Sequence, residues 1–356
     1  MRRYLLRDTP KIALFMTFSL TIMLILAACG NDVDNDEPET VAAEPTATEE
    51  VAEFTPEMMY RVLLSEENTV DSVAYHPDGE TIAAGTFMKI HLLQASDGDE
   101  TGVLDTDHSV ADLEYSLNGD QLAAGLDVYG VHLIDPEGSA EPLVLHGGNN
   151  NYLAFHPDGD QIATANRGAD LWIWDVASGD QLDEFVPSES EWALAIAYSP
   201  DGDHVALGNW NGDIYLFDGE TGDLIHTMEN PESFGYAYDL AFSPDGDYIA
   251  VAGTRSDRAE VIRIWTVDDG AEHTTIDADS QTRAVAWSAD GEQLAFGHSD
   301  GVVLVDTESM NVIFEISFDI AEGEQGWNTD LAYSPDGTQL LLSRWDGYIE
   351  MWRVQE

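Results

Sequence analysis

The chain has 356 residues and a formal charge of −56, with 69 acidic against 13 basic side chains, and 44% of it is hydrophobic. Such acidity repels phosphate backbones and anionic lipid headgroups, which argues against nucleic-acid binding and against a basic membrane-binding patch. Nine Trp, thirteen Tyr and twelve Phe provide enough apolar surface for a large core, so the chain as a whole is not disordered.

Residues 1–28 have the pattern of an export signal: Arg2, Arg3, Arg7 and Lys11 lead into an apolar run from Ile12 to Ala28. The sequence Leu26-Ala27-Ala28-Cys29 resembles the lipobox of bacterial lipoproteins, which implies cleavage before Cys29 and lipidation of its thiol. A plain transmembrane anchor is the alternative, but the run is short for a membrane span. Cys29 is the only cysteine, so once acylated it leaves no thiol for a disulfide, a metal or a nucleophile. Loss of residues 1–28 removes four basic residues and one acid, Asp8, and leaves Lys89 as the sole lysine. A lysine-poor, aspartate-rich surface suits high salt, where self-repulsion is screened, and solvation explains the charge more simply than a ligand does.

Residues 29–57 read as an acidic disordered tether, with nine acids and no base between Gly30 and Pro56. A flexible segment of this length spans on the order of 30 Å. Its "DVDND" alternates acids as a calcium loop does but lacks the loop's glycine and distant glutamate, so no metal site is expected there.

From residue 58 onward one pattern returns seven times. The turns are Tyr75-His76-Pro77-Asp78-Gly79, Tyr115-Ser116-Leu117-Asn118-Gly119, Phe155-His156-Pro157-Asp158-Gly159, Tyr198-Ser199-Pro200-Asp201-Gly202, Phe242-Ser243-Pro244-Asp245-Gly246, Trp287-Ser288-Ala289-Asp290-Gly291 and Tyr333-Ser334-Pro335-Asp336-Gly337. Their glycines stand 40, 40, 43, 44, 45 and 46 residues apart, a period of repeat folds. Ser or His opens each turn, Pro presets φ, Asp or Asn follows, and Gly takes a geometry that a Cβ resists.

Around each turn the pattern predicts four strands. A short apolar strand precedes it, as in "YDLAFS" and "TDLAYS". A second strand follows and places Ile82, Leu122, Ile162, Val205, Ile249, Leu294 and Leu340 in one column three residues past the glycine. A third alternates, as in residues 171–176, 213–218, 261–266, 301–306 and 348–353, and a weaker fourth is exemplified by 181–186 and 312–317. Four antiparallel strands at this period describe the blade of a β-propeller, and the fold class is all-β with seven blades over residues 58–356. Nothing of the fourth type follows residues 348–353, so "YRVLL" at 60–64 is expected to complete blade seven and close the ring.

The repeats resemble those of the WD40 family, in Trp174-Asp175, in the substitutes Phe217-Asp218 and Val305-Asp306, and most closely in "GHSDGVVLVD" and "SRWDGYIEMW". The turns are also similar to those of the propeller of the Tol translocation system. The Gly-His pair that usually opens a WD40 repeat is absent or degenerate throughout, so the family's buried hydrogen-bond tetrad is not expected and apolar packing between blades must do more.

Catalytic signatures are missing. No phosphate-binding loop, zinc-type Cys/His pattern or nucleophile elbow occurs, and no cofactor or metal is expected. His76 and His156 open turns, and His91 and His132 occupy the third-strand column shared with Trp172, Tyr215, Arg263, Val303 and Glu350. The resemblance implies partner binding on the face that carries the loops between second and third strands and between neighbouring blades. Arg167, Arg255, Arg258, Arg283 and Arg344 fall in those loops, with Trp192, Trp210, Trp327 and Trp345. Arg beside Trp on an acidic chain points to a local site for an anionic or aromatic ligand, a peptide or a glycan. The alternative is that the arginines offset nearby acids and the tryptophans cap the blade ends.

The expected function is that of a lipid-anchored, extracytoplasmic and monomeric propeller. It would bind a protein or cell-envelope partner without catalysing a reaction. Two competing readings are a propeller hydrolase or lyase acting on an extracellular polymer, with acids and a histidine such as His298 at the channel mouth, and a sensor module of an envelope system.

Overall fold

The computed structural model describes residues 54–355 apart from 67, 128–129, 146–149, 167, 169, 187–191, 231–234, 255–259, 279 and 320–326. The export signal, Cys29 and nearly all of the acidic tether lie outside the described residues.

The repeated turn is held by its own side chains. In five of its copies the opening hydroxyl, that of Ser116, Ser199, Ser243, Ser288 or Ser334, donates to the Asn or Asp two residues on at 2.5–2.8 Å. The same oxygen accepts the N–H of the residue five positions later at 2.9–3.0 Å, which starts the next strand in register. All seven turn glycines have φ between +72° and +78°, the left-handed region in which a Cβ is strained. Where His replaces Ser, the ring reaches the next blade. His76 packs edge-on against Tyr115 at 5.0 Å and His156 against Tyr198 at 5.1 Å.

Each turn joins the first two strands of a four-stranded antiparallel sheet, and there are seven such sheets. Blade one runs from Ser72–Tyr75 to Glu100–Asp105, blade two from Val110–Tyr115 to Leu143–Leu145, and blade three from Asn150–Phe155 to Gln181–Phe185. Blade four runs from Ala193–Tyr198 to Leu224–Met228, blade five from Ala237–Phe242 to Glu272–Ala278, and blade six from Thr282–Trp287 to Asn311–Ser317. Blade seven comprises Asn328–Tyr333, Gln339–Arg344, Tyr348–Arg353 and, from the other end of the chain, Glu57–Leu63. That closing strand pairs antiparallel with Tyr348–Arg353 from Glu57↔Arg353 to Leu63↔Tyr348, with a bulge between Met58 and Tyr60. It begins three residues earlier than the sequence pattern indicates. The first strands pack side by side around the axis, and the strand of blade seven meets that of blade one, so the ring is closed.

Seven apolar clusters hold the ring, each shared by two neighbouring blades. One of them joins Leu341, Ile349 and Met351 of blade seven to Val73, Ile82 and Leu93 of blade one, with Tyr60 and Val62 of the closing strand packed against it. The second-strand column is central to these interfaces: Ile82, Leu122, Ile162, Val205, Ile249, Leu294 and Leu340 are each 0% exposed. Burying one such side chain contributes roughly 1.5–3 kcal/mol, and the ring repeats this seven times. The outer strands are far more open, as the solvent-facing Leu182, Val312 and Ile313 show, in keeping with their weak sequence signal.

Candidate binding face at the channel mouth

The first strands enclose an axial cavity of about 310 Å³ lined by residues of all seven blades. One position, seven residues before the turn glycine, faces it in six blades: Ser72, Asp112, Tyr152, Ala195, Asp239 and Asp330; blade six contributes Arg283, next to that position. Three carboxylates of this column fasten a neighbouring blade. Asp112 accepts the N–H of Leu153 at 3.0 Å, Asp239 that of Val285 at 2.8 Å, and Asp330 that of Val73 at 2.9 Å. Ser72 donates its hydroxyl to Asp330 at 2.8 Å and accepts the N–H of Leu113 at 3.0 Å, while Glu114 accepts the N–H of Phe155 at 2.9 Å. This polar fastening stands beside the apolar packing expected in the absence of the tetrad.

Enclosure and mutual repulsion favour the neutral form of these acids. Burial, reinforced by the charge of Asp330, pushes the Asp112 carboxyl up to about 7 and holds that of Asp239 well above the usual carboxylate range. Glu114 is pushed up to about 8, again chiefly by burial with Asp112 adding to it, and Asp330 is raised by burial. At the cavity rim burial also raises Asp71, which accepts a hydrogen bond from Thr69 at 2.5 Å.

Above the acids runs a continuous line of side chains across blades four to seven. Trp192 stacks edge-on with Trp210 at 5.3 Å, Trp210 with Tyr236 at 4.5 Å, and Tyr236 lies tilted against Tyr238 at 5.1 Å. The Arg283 guanidinium lies over both Tyr238, at 5.5 Å, and Trp327, at 5.0 Å, and Trp327 meets Trp345 at 6.0 Å. Blades four and seven use the same device: the N–H of Trp210 donates to the carbonyl of Trp192 at 2.8 Å and that of Trp345 to Trp327 at 2.9 Å. Trp192 is 50% exposed, Trp210 39% and Trp345 46%.

The four loop tryptophans expected on this face are therefore there, in contact pairwise, and Arg283 links the pairs. Arg167, Arg255 and Arg258 lie outside the described residues. The exposed position expected for Arg344 is corrected: it is 1% exposed, pairs with Glu350 and Asp346 at 2.5 Å each, and its guanidinium lies over Phe318 and Tyr348. The third strand turns Glu350 inward beneath the loop, and an unpaired buried carboxylate would be costly, so the arginine is drawn in rather than out. Arg61 of the closing strand joins the same carboxylate at 2.7 Å.

Several residues of the face were not singled out by their sequence. Tyr236 shares the column of Trp192 and Trp327, ten residues before the turn glycine. Phe87, 54% exposed, shares that of Trp210 and Trp345, eight residues after it. Reading by column would have found both. The channel acids carried a signal too, because Asp inside apolar strands such as "YDLAFS" has to find a partner.

Among the described residues, His156, Asp158 and Asp160 have ligand atoms within 4.8 Å of one another at the turn end of blade three. Both acids are exposed and the His156 Nδ1 accepts the Asp158 N–H at 3.2 Å, so the group is a turn fastening. His298 does not line the axial cavity; its Nδ1 bonds Ser280 at 2.9 Å and accepts the Asp300 N–H at 3.2 Å.

Fold and face together define a seven-bladed β-propeller with an aromatic line across blades four to seven at the mouth of an acid-lined channel. Residues 240–322, which run through blades five and six, match the family described as the anaphase-promoting complex subunit 4 WD40 domain. No curated protein matches the chain.

Proposed function

We propose that the protein is a lipid-anchored, extracytoplasmic propeller that serves as a binding scaffold and engages a protein or cell-envelope partner through the face carrying the aromatic rim. The observation that carries this reading is the contiguity of the rim: exposed tryptophans from two separate blades are joined into one surface at the channel mouth. Large exposed aromatic surfaces are uncommon on monomers, and Trp with Arg anchors interfaces. Partner binding is also the common use of WD40-like propellers. The Cys29 lipid would hold the propeller at the membrane, with the acidic segment as its spacer.

The test is capture of a partner from an envelope fraction by the full-length chain. Trp210→Ala with Trp345→Ala is expected to abolish capture, whereas Leu117→Ala, at the turn end of blade two, leaves it unchanged. Equal capture by all three would overturn the assignment of the face, and turnover of a polysaccharide or peptide by the wild type would overturn the scaffold reading. Cys29→Ser is expected to release the protein from the membrane fraction.

A further inference from the structure

The rim's electrostatics differ from what its arginines imply. Arg344 and Arg61 are paired with Glu350 and contribute no free positive charge to the face. Arg283 is spread over the rings of Tyr238 and Trp327, with the Asp71 carboxylate within range of its charge. The channel mouth carries Asp71 on a chain of net charge −56, while the buried Asp112, Asp239 and Asp330 further in favour the neutral form and already accept backbone N–H groups of the next blade. An anionic ligand would be repelled by the negative charge of the chain, and a neutral glycan would leave that field unused. A cation satisfies both the carboxylate field and the negative faces of the rings. The molecule already shows this chemistry, in the guanidinium of Arg283 held over two rings within range of Asp71 and that of Arg344 held over two rings against Glu350 and Asp346. The rings of Trp210 and Trp345, in blades four and seven of the same line, remain exposed.

Resting on the reading of this rim as the binding surface, we propose that its ligand is an arginine- or lysine-bearing peptide segment. Its side-chain cations seat over the rings of Trp210 and Trp345 while Asp71 and the net negative charge of the chain supply the opposing field. The segment lies along the rim, since Trp210 and Trp345 belong to different blades, and its specificity comes from the spacing of its cations.

The charge of the whole chain would attract any polycation, so the test uses substitutions that leave charge untouched. The full-length chain, kept in a non-ionic detergent, is titrated with labelled octa-arginine, an uncharged Gly/Ser octapeptide and a neutral hexasaccharide, at 0.15 M and 0.5 M NaCl. Octa-arginine is expected to bind, and Trp210→Ala with Trp345→Ala to weaken it about tenfold, the effect of losing two exposed cation–π contacts. Trp210→Phe with Trp345→Phe should recover most of that loss, and Leu117→Ala should leave affinity unchanged. Octa-arginine affinity that is the same in wild type and the double alanine variant would overturn the proposal, because diffuse attraction would then suffice. Ring-dependent binding of the neutral peptide or sugar without octa-arginine would overturn the cation while leaving the binding face intact. Indifference of every probe and of partner capture to the two rings would remove both.

Discussion

Gly119 and Gly159 hold the same backbone conformation, with φ of +76° and +75°, yet their surroundings differ. A Cβ on Gly159 would meet open space, whereas one on Gly119 would stand 2.2 Å from the Nε2 of His76. The His76 ring is not free to leave, since it packs on Tyr115 and its Nε2 lies 3.3 Å from the Gly119 carbonyl. Gly159→Ala is therefore expected to cost about 1 kcal/mol of backbone strain, and Gly119→Ala at least about 1 kcal/mol more. Thermal melts of both, with Gly119→Ala repeated in a His76→Ser background, check this; the excess should vanish in that background. Arg344 is the second case in which a neighbour decides a residue's role. Its buried pairing predicts that Arg344→Ala destabilises the fold by about 3–5 kcal/mol, because Glu350 is then left without its closest partner. An unchanged melting temperature in that variant would contradict the buried pairing.

Elements were legible where a pattern recurs. The turn glycines and the fully buried second-strand column fixed the number of blades, and the alternation of residues 60–64 indicated the closing strand. What stayed hidden were pairings between distant positions: Glu350 looks like any other of 69 acids until its strand turns it inward, and an Asp in a first strand has its acceptor role set by the next blade. These first-strand acids make the stability of the inner ring depend on pH. The folded-state value of Asp112, about 7, lies above its ordinary value near 4, so between those values the folded chain binds more protons than the unfolded one. Stability attributable to Asp112 is thus fullest below about pH 4, falls as pH rises to about 7, and is level beyond. Asp112→Asn, which keeps an acceptor for Leu153, should become progressively more stable relative to wild type from pH 4 to 7, by about 4 kcal/mol in total. A difference that does not vary with pH would refute it. For the closing strand, Tyr60 donates its hydroxyl to the Ala95 carbonyl at 2.9 Å and so ties blade seven to blade one. Deleting residues through 64 should lower the melting temperature and, by baring the edge of Tyr348–Arg353, produce concentration-dependent association in sedimentation velocity. A monomer of unaltered stability would show that the ring does not need this strand.

For the whole molecule, the ring converts seven weak local units into one rigid platform with two unlike ends. One end carries the repeated turns, five of them with an Asp or Asn side chain held by a serine hydroxyl. The other gathers residues separated by up to about 150 positions in the chain into a single aromatic line over an acid-lined channel. No sequence window shows that line, because its members are adjacent only once the blades stand side by side; the loop tryptophans and Arg283 were recognisable as types, but their contiguity was not. The most direct measurement is hydroxyl-radical footprinting of the full-length chain with and without bound octa-arginine. Protection is expected at Trp192, Trp210, Tyr236, Trp327 and Trp345, with the turn residues near Leu117 and Pro157 unaffected. Protection of the turn end, with the tryptophans still open to oxidation, would contradict the account.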